Sequence, residues 1–137
     1  MSETHARIQS FEEFWPFYVS QHLDPTDRKL HFVGTSLALG CLAVAPLRPK
    51  ALLLAPVLGY GFAWIGHALF EKNKPATFTY PLWSLRGDLR MWWLTLTGKM
   101  EPELARAREM FGDEAAEPAH GGNGVSADDG NGVGADA

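Results

Sequence analysis

"ALLLAPVLGYGFAWIGHALFE", residues 51–71, decides how the rest of the chain is read. Its first twenty residues contain no Asp, Glu, Lys or Arg. At a helical rise of about 1.5 Å per residue, such a run is long enough to cross a hydrocarbon core of roughly 30 Å. Near its end the run carries a histidine, His67, and the chain then turns abruptly charged. An imidazole in an apolar helix is costly unless it is paired or has a task, so His67 is the first candidate functional residue.

The segment upstream offers the other arm of a hairpin. In "DPTD", Asp24 is placed to cap a helix, Pro25 to fill its first position and Asp27 to sit in its first turn. This helix is expected to reach about Ala45, because Pro46 and "LRPK" (Leu47 to Lys50) form a compact turn. Its apolar run, Phe32 to Leu47, is sixteen residues, short for a span unless Arg28 and Lys29 snorkel. Two further helices are expected. One runs from about Ser10 to His22, with Ser10 and Glu13 at capping-box spacing and Phe11, Phe14, Trp15, Tyr18 and His22 along one face. Pro16 inside it predicts a kink or a later start. The other runs from about Leu82 to Thr97 and puts Leu82, Leu85, Leu89, Trp92, Trp93 and Leu96 on one side, with Arg86, Asp88 and Arg90 elsewhere. That mixture suits a membrane interface, and an amphipathic helix on a soluble core has the same pattern. No segment shows the alternation of a half-buried strand. The expected fold is therefore all-α: a small helical membrane bundle built on a two-helix apolar hairpin with flanking amphipathic helices, the alternative being an unusually apolar soluble bundle.

With 137 residues there is chain for one domain. The acidic balance belongs to its end: residues 113–137 hold six acids, six glycines and no Lys or Arg, whereas twelve bases against ten acids give residues 1–112 a charge of +2. Within that tail "NGVSAD" (Asn123 to Asp128) recurs as "NGVGAD" (Asn131 to Asp136). Such a composition cannot bury enough apolar surface to fold, so 1–112 is read as a helical membrane domain and 113–137 as a disordered acidic, Gly-rich tail. The single cysteine, Cys41, excludes an intrachain disulfide and a thiolate cluster. The opening residues lack a basic stretch followed by an apolar one, so no cleaved secretory signal is expected. No phosphate-binding loop, nucleophile elbow or basic aromatic patch is present, and a nucleic-acid partner is not expected.

Counting outward from residue 49 at the hairpin tip, His31 lies eighteen residues before it and His67 eighteen after. Both therefore sit at the same depth, about 27 Å from the tip. His31, Gly34, Ala38, Cys41 and Ala45 share a stripe of one helix, and Gly59, Ala63, Gly66, His67 and Phe70 do much the same on the other. Small-residue stripes are where membrane helices meet closely, so both histidines should point into the contact, at the end where His22 also falls. Three imidazoles at one place, with Asp27 one turn before His31 and Glu71 one turn after His67, make a plausible site for Fe(II) or Zn. The plain structural alternative is that His22 caps a helix end, His31 bonds a backbone carbonyl and His67 is an interfacial polar residue.

"HLDPTDRKLH" (His22 to His31) and "GHALFEKNKPATF" (Gly66 to Phe78) resemble motifs of the membrane proteins named for metabolism of phytosphingosine to odd-numbered fatty acids. The similarity extends loosely from about Phe11 to Arg90, and the second motif is the more specific. This chain lacks the extra hydrophobic helices that separate the two motifs in eukaryotic members, so it resembles a minimal form. The resemblance implies an Fe(II)-dependent dioxygenase that shortens 2-hydroxy fatty acids by one carbon, using O2, in the cytoplasmic membrane of a prokaryote or the endoplasmic reticulum of a eukaryote. It implies His22, His31 and His67 as the catalytic iron ligands, with Glu71 and Asn73 close by; Asp27 joins these two as a possible supporting residue. Lys72 or Lys74 would attract the substrate carboxylate, although Lys beside a membrane end is more often an interfacial anchor. Two other readings stay open: a haem held by two of the histidines, and a non-catalytic membrane scaffold. Arg28, Lys29, Lys72 and Lys74 at the histidine end, against Arg48 and Lys50 at the tip, put the histidine end on the cytoplasmic side. Membrane lipid is the expected surrounding, and the sequence does not give the oligomeric state.

Overall fold

The computed structural model describes residues 7–112, and the tail at 113–137 lies outside the described residues. These residues form α1 (Phe11–Ser20), α2 (Pro25–Val44), α3 (Ala51–Gly66), α4 (Pro81–Leu96) and α5 (Glu101–Phe111), with no strand among them. A π-helical turn, His67–Glu71, continues α3, and a 3-10 turn, Ala76–Phe78, leads into α4.

The helix starts follow from local chemistry. Ser10 accepts a hydrogen bond from the Glu13 N–H (3.3 Å), and α1 begins at Phe11 with Pro16 accommodated inside, so the later start does not occur. Asp24 accepts from the N–H groups of Thr26 (2.7 Å) and Asp27 (3.2 Å), satisfying donors that α2 leaves free at its beginning. The fifth helix was not expected. Its signals are nonetheless ordinary: Pro102 in the first turn, Glu101 and Glu103 beside it, and Arg108 near the end.

Two kinds of packing meet in this chain. The antiparallel pair α2 and α3 lie against each other along their length through small residues. A Cβ on Gly34 would stand 2.8 Å from Phe62 Cβ and 3.1 Å from the Leu58 carbonyl oxygen, so only glycine permits that approach. Around the histidine end, α1, α4 and α5 build an aromatic core in which Phe14, Trp15, Tyr18, Met91, Leu104 and Ala107 are almost fully buried. Phe14 stands 5.4–6.1 Å, ring centre to ring centre, from Phe11, Phe17, Tyr18, Tyr80 and Trp83. The Trp15 indole N–H donates to Glu103 (2.9 Å), which fastens α5 to α1.

The hairpin, by contrast, turns its large side chains outward. Leu53, Val57, Ile65 and Leu69 are exposed, and the 21-residue stretch Ala51–Glu71, the one helix of the described residues long and apolar enough to span a bilayer, is 22% buried over its most apolar window. Helix α4 does the same: Leu82, Leu85, Leu89, Trp93 and Leu96 are exposed, while Ser84, Gly87 and Met91 face inward. The apolar side of α4 therefore does not cover a soluble core. Phe70 departs from the expected stripe and is 42% exposed, because the wider π-helical turn carries it away from the contact.

Gly34→Val should lower the thermal midpoint of the purified protein by an amount corresponding to roughly 1–3 kcal/mol of overpacking. Gly61, whose added Cβ would meet nothing within 4 Å, should accept Ala without loss. Equal melting of the two variants would contradict the close helix crossing.

Candidate metal centre

Four side chains from three segments converge at the base of the hairpin. His22 comes from the turn after α1, Asp27 and His31 from one face of α2 at i, i+4, and His67 from the π-helical turn. One potential ligand atom from each lies within 4.8 Å of the others, and all four residues are buried. The imidazole centres are 4.5 Å (His22 to His31), 4.6 Å (His22 to His67) and 5.1 Å (His31 to His67) apart, edge to face.

Each ring is aimed by what its other nitrogen touches. His22 Nδ1 lies 2.6 Å from the Tyr18 carbonyl oxygen, an acceptor only, so Nδ1 carries the proton and donates it, leaving the Nε2 lone pair free. His67 Nδ1 lies 2.6 Å from Asn73 Oδ1, and the Asn73 amide donates in turn to the Gln21 carbonyl (3.2 Å) and side-chain oxygen (3.0 Å). His31 Nδ1 faces Asp88 Oδ1 at 3.5 Å, and its Nε2 faces Asp27 Oδ1 at 3.5 Å. Asp88 also accepts a hydrogen bond from the Tyr18 hydroxyl, and the Tyr18 ring stacks on His22 with centres 4.2 Å apart. Burial, followed by the neighbouring His31 and His67, holds the His22 imidazole well below the ordinary histidine range, so it is neutral and able to ligate. Burial and Asp88 push Tyr18 up, which keeps it a phenol.

The test of whether these residues fit a cation lies in their unmet polar atoms. His22 Nε2, His31 Nε2 and both oxygens of Asp27 are buried without a hydrogen-bond partner. Buried polar groups are almost always paired, and an isolated buried carboxylate is among the costliest exceptions. A cation with bonds of about 2.1 Å holds its donors roughly 3–4 Å apart, close to the separations found here. Imidazole nitrogen and carboxylate oxygen suit Zn or Fe(II), and the described residues bring no thiolate to the cluster. The rings also pack too closely for a porphyrin plane to pass between any two of them, which disfavours the haem reading.

The surroundings are built to hold this geometry. Arg28 does not snorkel; its guanidinium donates to the carbonyls of His22 (2.9 Å) and Leu23 (2.7 Å) and closes the turn that carries His22. Glu71 accepts from the Asp24 N–H (2.6 Å), tying the end of the π-helical turn to the start of α2. Lys72 closes that turn in the left-handed region (φ 55°), its N–H and that of Asn73 both directed at the His67 carbonyl. Gly66 is required: a Cβ there would meet Asp27 Oδ1 at 1.9 Å. Gly87 likewise lets α4 approach the Tyr18 ring, which a Cβ would meet at 3.0 Å.

Of the residues singled out from sequence, His22, His31, His67 and Asp27 come together as the cluster. Asn73 orients His67, and Glu71 accepts from the Asp24 backbone with its carboxyl next to that of Asp27, at the edge of the cluster. Lys72 and Lys74 are exposed beyond it. Asp27 stands among the potential ligands, nearer than the supporting place assigned to it. Asp88 was missed, since on the α4 pattern it reads as one more polar residue opposite the leucines.

A buried three-histidine, one-carboxylate cluster closed by an all-helical frame defines a candidate metal-centred enzyme site. The family model described as 2-hydroxy-palmitic acid dioxygenase Mpo1-like matches residues 8–100, and the chain belongs to that family. No curated protein and no solved structure matches it.

Asn73→Ala should weaken metal binding about 10–100-fold by freeing the His67 ring, with the helix content unchanged. Titration of the metal-free protein with Zn(II) or Fe(II) checks this, and an unaltered affinity would show that Asn73 does not orient the ring.

Proposed function

We propose that this chain is a non-haem Fe(II)-dependent dioxygenase, embedded in a membrane, that shortens 2-hydroxy fatty acids by one carbon. The observation that carries the reading is the set of buried, unpartnered ligand atoms on His22, Asp27 and His31, joined by His67, in a chain whose family is named for a 2-hydroxy-palmitic acid dioxygenase. His22, His31, His67 and Asp27 would hold the metal. When bound, Fe(II) would supply the redox chemistry that O2 requires and a Lewis-acidic anchor for a carboxylate and its neighbouring hydroxyl.

The protein's own residues would do the rest. Tyr18, through its carbonyl, and Asn73 fix the proton of their histidines on Nδ1, so that Nε2 of each is directed inward. Asp27 would lower the charge of the ion and compete with substrate for the remaining positions. The aromatic core around Tyr18 restricts water at the site, which favours reaction of a bound acid over side reactions. Lys72 and Lys74, exposed just after the π-helical turn, would draw an anionic headgroup to that end of the molecule rather than touch the metal.

The exposed apolar surface of α2, α3 and α4 supports an integral membrane location, because a patch of that extent on a soluble monomer is a liability. In this placement the aromatic core and the histidine end lie at the cytoplasmic boundary.

Protein purified anaerobically in detergent should contain near-stoichiometric iron and, given O2 and 2-hydroxypalmitate, release the acid one carbon shorter. The triple variant His22→Ala, His31→Ala, His67→Ala should lose both, and Asp27→Ala should lose at least tenfold in rate. Absence of metal and turnover in the wild type despite added Fe(II) would favour the scaffold reading.

A further inference from the structure

A cavity of about 350 Å³ lies between α2, α3 and α4. Its polar end is formed by His31 and Asp88, members of the cluster and its support; apart from Thr35 and Tyr60 the remainder is apolar, with Ala38, Leu39 and Leu42 on α2 and Pro56 and Gly59 on α3. Small residues face each other along the cavity: a Cβ on Gly59 would stand in ordinary van der Waals contact, 3.5 Å, with Ala38 Cβ. The cavity therefore begins at the metal-ligating residues and runs toward the hairpin tip, among side chains that a saturated chain would match.

We propose that this groove receives the alkyl tail of the 2-hydroxy acid and measures its length, with Ala38, Leu42 and Pro56 as the determinants. The assignment rests on the function proposed above. From His31 to Leu42 the rise along α2 is about 16 Å. With C–C bonds of about 1.5 Å and angles near 111°, an extended chain advances roughly 1.25 Å per carbon, so the groove matches about thirteen carbons beyond the headgroup. A second copy of the chain or a structural helix would have no use for a groove whose polar end is an imidazole and a carboxylate. A bulk phospholipid tail would enter without regard to those groups, and the test separates it.

The probe is a 2-hydroxy fatty acid bearing a diazirine near its methyl end, photolysed with the full chain in lipid nanodiscs, alongside turnover of 2-hydroxypalmitate and 2-hydroxyoctanoate. Adducts are expected on Leu39, Leu42 and Pro56, and excess unlabelled 2-hydroxypalmitate should suppress them about tenfold. Ala38→Phe, which fills the groove part of the way from His31, should lower the ratio of kcat/KM for the long acid over the short one by about tenfold or more. Adducts confined to the outer face at Leu53, Val57 and Leu69, or labelling that the competitor does not reduce, would overturn the groove whatever the variant does. Turnover with labelling outside the groove would leave the dioxygenase and remove the groove; competed labelling inside it without turnover would uphold the acyl site and remove the dioxygenase.

Discussion

An aspartate carboxylate and two imidazole nitrogens, buried together without a hydrogen-bond partner, set the constraint that the rest of this structure serves. Taking a carboxylate out of water costs several kcal/mol even after relaxation, and neither oxygen of Asp27 has a hydrogen bond to offset it. A divalent cation would offset it, since it offers each unmet atom a bond and cancels the buried charge. The frame accordingly spends its few special residues here. Gly66 admits Asp27, Gly87 admits Tyr18, Arg28 closes the turn of His22, and Asn73 steadies His67.

The molecule divides its burial accordingly. Its tightly packed apolar interior lies around α1, α4 and α5, where aromatic side chains support the rings and water is kept away. The hairpin carries almost none of that interior; it is held by the near approach of Gly34 and Gly59 to the facing helix and leaves its leucines outside. Such an arrangement is unfavourable in water and natural in lipid, where helices associate through small residues rather than through hydrophobic exclusion. The site stands at the junction, with the aromatic core on one side and the apolar groove on the other.

Much of this was legible in the sequence because it depended on periodicity and end chemistry. The equal depth of His31 and His67 needed only a helical rise and a turn, and the Asp24 and Ser10 caps needed only side chains that accept from nearby N–H groups. What escaped notice depended on the third dimension. That Asp27 stands among the ligand atoms follows from how closely α3 approaches at Gly66. Asp88 is brought to His31 from an element far along the chain, and no spacing rule links them. The π-helical turn has no compositional mark, and it displaced Phe70 from the expected stripe. Helix α5 did carry its start signals, but it is short and polar and lacks the apolar stripe by which the other helices were recognised.

The central claim is that His22, Asp27, His31 and His67 share one metal ion, and the X-ray absorption spectrum of the Fe(II)-loaded protein tests it most directly. A first shell of nitrogen and oxygen only, with the outer-shell scattering of three imidazoles, reduced to two in His67→Ala, is the result this account requires. A sulfur-containing shell, or an imidazole count unaffected by loss of His67, would contradict it.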